Sequence, residues 1–179
     1  MVTKTGRRMS LEEFLALPEE KPNLELIDGE VCQKPMATRR RSRAQSRLYK
    51  LLSSHRATSG GEAFVELTLP IGGNGRANAR VPDLSYYQPG RGGEGDDYPT
   101  ELPDLVAEVR SEGQTVRALE SRLAFLRERG VLVTLLIDPE NVTITVHDGG
   151  RSWVAGAGER VVLETLDGFE FGVDELFEP

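Results

Sequence analysis

Apolar residues recur along this chain at two spacings, and each spacing implies a different element. Ala44, Leu48, Leu51, Leu52 and His55 share one face at helical spacing, so a long helix is expected over about residues 38–58, stopped by Gly60-Gly61. When successive residues are turned by about 100°, Val116, Ala118, Leu119, Leu123, Phe125 and Leu126 form one continuous arc. That arc predicts a second helix over 115–129, ended by Gly130. A short helix over 10–17 opens with a capping box, Ser10 to Glu13, and ends at Pro18. Leu24–Ile27 and Glu30–Gln33 read as a hairpin around an Asp28-Gly29 turn. Further strands are expected over 64–70 and 79–87, joined by a turn at 72–75, and over Leu105–Val109. The stretch 131–137 is almost wholly apolar, as a strand buried on both faces would be. Residues 142–146 alternate β-branched side chains, weaker strand signals follow around 160–163, and 173–177 reads as a helical turn.

Helix, strands, helix, strands, with no repeats, predicts an α/β (α+β) fold: a mixed, twisted sheet flanked by helices. A length of 179 residues suits one domain with one core. The expected division is a flexible tail over 1–9 and a single domain over 10–179, with a mobile Gly-, Asp- and Pro-rich loop over 88–101. No apolar run is long enough for a membrane span, and Glu12 and Glu13 interrupt any signal-peptide core. A single cysteine, Cys32, excludes an internal disulfide and makes the cytoplasm the expected compartment. One cysteine and two histidines argue against a structural zinc site.

Charge changes this picture more than composition does. The net charge of −7 argues against a nucleic-acid partner. Yet residues 31–61 hold eight Lys or Arg and no acid, while all 29 Asp and Glu lie elsewhere. A basic element on an acidic body presents a local field that a polyanion meets first. Arg41, Arg43, Arg47 and Lys50 are its candidate backbone contacts. Charge alone is served equally well by a solvated basic helix face.

The candidate chemistry lies in Val81-Pro82-Asp83-Leu84 and in Pro103-Asp104-Leu105-Val106-Ala107-Glu108-Val109. Each reads as a buried strand carrying a carboxylate that the strand does not need. As neighbours in a sheet, Asp83 and Glu108 would stand side by side and repel. A divalent cation is the usual way to keep both ionised, which points to metal-dependent chemistry on a phosphate. Arg122 falls in the middle of the apolar arc of the second helix, where it needs a carboxylate or a substrate anion, unless it snorkels along the core edge. Arg41 sits on the apolar arc of the basic helix, at the end that favours phosphate; a first-turn residue can also simply be exposed. His55 reads as a satisfied core histidine. Alternation sets Glu25 opposite Leu24 and Leu26, either facing the interior near Asp83 or, the side slightly favoured, facing solvent.

Several motifs occur together in one order. They are Phe14-Leu15-Ala16-Leu17-Pro18, Leu24-Glu25-Leu26-Ile27-Asp28-Gly29-Glu30, the two carboxylate stretches, and Gly130-Val131 through Ile137-Asp138-Pro139. In this set the chain resembles the Uma2 endonuclease family of the restriction-endonuclease-like PD-(D/E)xK superfamily, over about residues 10–177. The resemblance implies a restriction-endonuclease-like core that binds one or two Mg²⁺ (or Mn²⁺) ions and hydrolyses DNA. Asp83 and Glu108 would be metal ligands, the Val109 carbonyl would complete the site, and Glu25 would be an auxiliary acid. The catalytic lysine of the superfamily would correspond to Arg122, the family's frequent His to Arg41, and a common Asp to Gln114. Arginine cannot act as a base, but it stabilises negative charge on phosphate. Arg110, two residues beyond Glu108, stands at the superfamily's strand-lysine position, on Glu108's face by alternation. DNA is thus the expected partner, a homodimer the expected assembly, and no membrane is involved. The alternatives are a non-catalytic nucleic-acid-binding relative and a homodimeric domain with no nuclease activity.

Overall fold

The computed structural model describes residues 2–3, 8–72, 76–93 and 98–178. In chain order its elements are β1 (Val2–Thr3), α1 (Leu11–Leu15), β2 (Leu24–Ile27), β3 (Glu30–Gln33), α2 (Arg39–Ser59), β4 (Glu62–Val65), β5 (Leu69–Ile71), β6 (Asn78–Arg80), β7 (Leu84–Tyr87) and β8 (Leu105–Val109). There follow α3 (Val116–Arg127), β9 (Val133–Asp138), β10 (Thr143–Asp148), β11 (Arg151–Ala155), β12 (Arg160–Leu163), β13 (Phe169–Gly172) and α4 (Asp174–Phe177). Six strands form the central sheet in the order β11-β10-β9-β8-β7-β4; a second sheet runs β1-β3-β2-β6-β5, and β12-β13 form a ribbon. Among the described residues, only β8 and β9 pair in parallel, with α3 as the crossover between them.

The central sheet is covered on both faces, which is why β8 and β9 are buried along their whole length. On one face α2 packs Ala44, Leu48 and Leu52 against Ala107, Val109, Leu135 and Ile137. On the other, α3 packs Leu119, Leu123 and Leu126 against Val106 and Leu136. Period two along β8 therefore sends Glu108, like Val106, toward α3. The expected capping box forms: the Ser10 hydroxyl accepts from the Glu13 amide at 3.1 Å, and Glu13 accepts from the Ser10 amide at 2.8 Å. Asp28 and Gly29 both have positive φ, 50° and 85°, as a tight hairpin turn requires.

Two expectations are corrected. Residues 64–70 and 79–87 are not two continuous strands in one sheet. Each breaks in the middle: β4 and β7 pair in the central sheet, whereas β5 and β6 pair in the second sheet. The breaks coincide with Glu66, whose φ is 53°, and with Pro82, which has no amide to give to a ladder. The expected turn at 72–75 and the loop over 88–101 lie partly outside the described residues. Of the expected tail, the described Val2–Thr3 pairs with Cys32 and Gln33, and the Met9 amide donates to Gly29 O at 2.7 Å. The strands β11 and β13 and the 3₁₀ turn at Glu164–Leu166 have no counterpart in the sequence reading.

Candidate functional site

The break at Pro82-Asp83 lies where the two sheets meet, and six charged side chains converge there. Glu25 comes from β2, Lys34 from just beyond β3, Arg41 from the first turn of α2, Asp83 from the break, Glu108 from β8 and Arg122 from α3. The first five are each no more than 5% exposed. The Arg122 side chain, at 15%, is the most exposed of the six. Three carboxylates and three cations balance, as buried charge must.

Asp83 is held on every side. Its Oδ1 accepts from Lys34 Nζ at 2.7 Å and from Arg41 Nη2, and its Oδ2 accepts from Arg41 Nε at 3.0 Å and from the Val109 amide at 2.8 Å. Its own carbonyl accepts from Gln45 Nε2 at 2.6 Å, one turn beyond Arg41 on α2. The Thr38 hydroxyl caps α2 by accepting from the Arg41 amide at 3.3 Å, which fixes the turn that carries Arg41. Burial pushes the Asp83 carboxyl up, but the Lys34 ammonium and the Arg41 guanidinium outweigh it and hold the group at about 2.

Glu108 is held loosely by comparison. Arg122 donates to its Oε1 from Nη2 at 2.8 Å and from Nε at 3.3 Å, and the Lys34 ammonium stands 4.0 Å from its Oε2. Burial dominates and pushes its carboxyl above the usual range despite Arg122 and Lys34. Glu25 accepts from Arg122 Nη1 at 2.6 Å, from Arg122 Nη2 at 2.8 Å and from the Val81 amide at 2.9 Å. Burial raises its carboxyl, and Arg122 more than compensates, so it lies below the usual range. For Lys34, burial favours the neutral amine, but Glu108, Asp83 and Glu25 together raise it above its ordinary value.

The structure thus brings together Glu25, Asp83, Glu108, Arg122 and Arg41. Glu25 is fully buried, on the interior side that the sequence reading disfavoured. Val109 contributes its amide to Asp83. Arg110 points elsewhere: it donates to Asp138 at 2.8 Å and to the Gln114 carbonyl at 3.0 Å, and pairs with Glu140 at 3.1 Å. Arg43 and Lys50 lie on the exposed face of α2, and Arg47 donates to the carbonyl of Glu178. The sequence reading missed Lys34 and Gln45. The hairpin register held the signal for Lys34: Glu25 pairs with Cys32, so Lys34, two residues on, shares the face of Glu25.

A family model described as "Uma2: Putative restriction endonuclease" matches residues 11–174. The crystal structure of a putative nuclease belonging to DUF820 from Anabaena variabilis is 26% identical, with a TM-score of 0.82 over 94% of this chain and 97% of that one. The fold is therefore the restriction-endonuclease-like one expected from sequence. The cryoEM DrdV–DNA complex matches at 16% identity and a TM-score of 0.41, over 73% of this chain and 11% of that one. No curated protein matches.

Families with this fold typically use divalent metals, so the donor set can be tested against one. An ionised carboxylate offers about four acceptor positions, and all of those on Asp83 are taken by N–H donors of the protein. No group of three or more His, Cys, Asp or Glu among the described residues is arranged to hold a metal ion. As arranged, the residues do not fit a divalent cation: Lys34, Arg41 and Arg122 already supply the charge that such an ion would bring. Among the described residues, no helix is long and apolar enough to cross a membrane.

Proposed function

The chain belongs to the Uma2 family of putative restriction endonucleases, and on that premise we propose that it hydrolyses phosphodiester bonds of DNA at the six-residue cluster. The observation that carries this reading is the convergence of three carboxylates and three cations at the junction of the two sheets. Arg122, the most exposed member, would meet the phosphate first and stabilise the charge that develops on its oxygens. Glu108 would take the proton of the attacking water, a role suited to a carboxyl that burial makes a stronger base than an exposed one. Lys34 would supply the ammonium that the superfamily places beside its acids. Arg122 need not replace that lysine, because β3 delivers one. The exposed Arg43 and Lys50 would track the backbone.

Plasmid nicking in Mn²⁺ tests the reading, with Asp83→Asn, Glu108→Gln and Lys34→Met beside the wild type. Loss of nicking in all three supports the assignment, whereas unchanged nicking in any one removes that residue from the chemistry. The saturation of Asp83 favours a second reading, a non-catalytic DNA-binding relative. DNA binding without cleavage in Mn²⁺ would select it.

A further inference from the structure

The cluster at the sheet junction is balanced in charge, but a further buried cation beside it is not. Arg80, the last residue of β6, is 8% exposed. Among the described residues it donates one hydrogen bond, from Nη2 to Asn78 Oδ1 at 3.1 Å, and joins no ion pair. Its Nε is buried without a partner. Burial disfavours the charge and Arg122 adds to this; Glu25 and Asp28 do not offset the two, so the guanidinium is held below its ordinary range. An arginine stays charged even so. A buried charge without a counter-ion costs stability, and a bound anion would compensate it.

The surroundings give that anion a place. Phe125, Arg129, Asn78, Arg76 and Asp28 line an open hollow of about 310 Å³. Arg80 touches two of these walls: it is bonded to Asn78, and its guanidinium stands 4.5 Å from the centre of the Phe125 ring. The Arg129 guanidinium stands 3.5 Å from the same ring and donates to the Phe125 carbonyl at 2.9 Å. Two acids face these cations. Half-buried Asp28 pairs with the exposed Arg76 at 3.4 Å, and the exposed Glu128 lies 3.9 Å from Arg129. Neither reaches Arg80. Guanidinium forks match the oxygens of a phosphate. The hollow also lies in line with the cluster. On α3, Arg122 and Phe125 are three residues apart, and Arg129 follows one turn on, just beyond the helix, so the three share one stripe.

We infer that Arg80, Arg129 and Arg76 form a phosphate subsite apart from the cluster, which takes a second phosphodiester of a DNA strand running along α3. Arg122 and Arg129 are seven residues apart. At roughly 1.5 Å per residue that is about 10 Å, and a strand rises about 3.4 Å per nucleotide, so the two phosphates are about three nucleotides apart. This rests on the reading of Arg122 as the group that meets the scissile phosphate, but it is tested on binding and not on turnover.

The test is binding of a labelled DNA duplex to the full chain, read by fluorescence anisotropy without divalent metal over a series of salt concentrations. Arg80→Gln and Arg129→Gln should each weaken binding about tenfold and lower the salt slope by about one. Arg160→Gln should leave the slope unchanged: that residue pairs with Glu170 on the β12-β13 ribbon, which joins the core on the α2 face of the central sheet. An unchanged slope in either of the first two variants overturns the subsite, and Arg129, being exposed, keeps the test open should Arg80→Gln not fold. Thermal unfolding separates binding from propping. Arg80→Met removes an unpaired buried cation, so its midpoint without DNA should equal or exceed that of the wild type, and DNA should raise it less. A midpoint lowered by several degrees, with DNA raising it as in the wild type, makes Arg80 a prop for Phe125 and overturns the subsite. Inorganic phosphate that raises the wild-type midpoint where DNA does not makes a free phosphate the ligand and overturns the DNA assignment. Lowered slopes with no cleavage in Mn²⁺ by any form leave the subsite standing and remove the nuclease reading; cleavage with unaltered slopes does the reverse.

Discussion

Asp83 and Glu108 stand opposite each other at the junction of the sheets, equally buried, yet they are held in opposite ways. Asp83 has four donors and is kept ionised far below its ordinary range. Glu108 relies on one shared guanidinium and a distant ammonium, and burial raises it. The difference shows that burial alone does not set the state of a carboxylate. The number of N–H groups aimed at it does. Within one cluster the two acids are thus held differently: Asp83 ties α2, β8 and the end of the hairpin together, whereas, among the described residues, the Glu108 carboxylate is hydrogen-bonded through α3 alone.

The comparison can be broken most forcefully at Asp83. Asp83→Asn leaves Lys34 and Arg41 buried without their carboxylate and should cost about 3–5 kcal/mol in urea unfolding. A loss below about 1 kcal/mol would mean that Asp83 is no better held than its neighbour. Acid should act in the same direction. The folded value of Asp83, about 2, lies below its ordinary 3.8, so its contribution is complete above pH 3.8 and is lost as pH falls through 2. That contribution is about 2 kcal/mol, read as the difference between the wild-type and Asp83→Asn stability curves from pH 5 to 2.

Glu108 should show the opposite sign. Its folded value is raised, so its ionisation removes stability as pH rises from 4.5 through that value. Glu108→Gln, which carries no charge to desolvate and leaves Arg122 its two bonds to Glu25, should change stability at pH 7 by less than about 1 kcal/mol, because relief of desolvation offsets the lost pair with Arg122. A loss of about 2 kcal/mol instead would place Glu108 with Asp83 and end the contrast. The smallest effect should come from the outer face of α2. Arg43→Ala should change stability by less than about 0.5 kcal/mol while lowering the salt slope of DNA binding by about one. An unchanged slope would take Arg43 off the DNA path.

Much of this was legible from spacing. The face of α2 with Ala44, Leu48 and Leu52, the arc of α3 and the Asp28-Gly29 hairpin follow from periods of 3.6 and 2. Arg122 was conspicuous because it interrupted an apolar arc. The break at Pro82 was harder to read, since apolar residues flank it on both sides and periodicity does not report a change of sheet. Lys34 was passed over because lysine is ordinarily exposed. Its burial depends on Asp83, Val81 and Glu108, which lie between 47 and 74 residues away along the chain. Glu25 illustrates the same limit: alternation places it on a face, but whether that face meets water is decided by α3, which carries Arg122 across it.

The sealed position of Lys34 also has a use in time-resolved chemistry. The chain has four lysines, at positions 4, 21, 34 and 50. Lys21 and Lys50 are exposed, whereas the Lys34 amine is enclosed and kept protonated by three carboxylates. An amine-acylating reagent will therefore mark the exposed pair at once and reach Lys34 only when the sheets part at their junction. The slow appearance of label on the peptide containing Lys34 is a clock for that event, wound into the protein by its own sequence and readable by mass without any substitution.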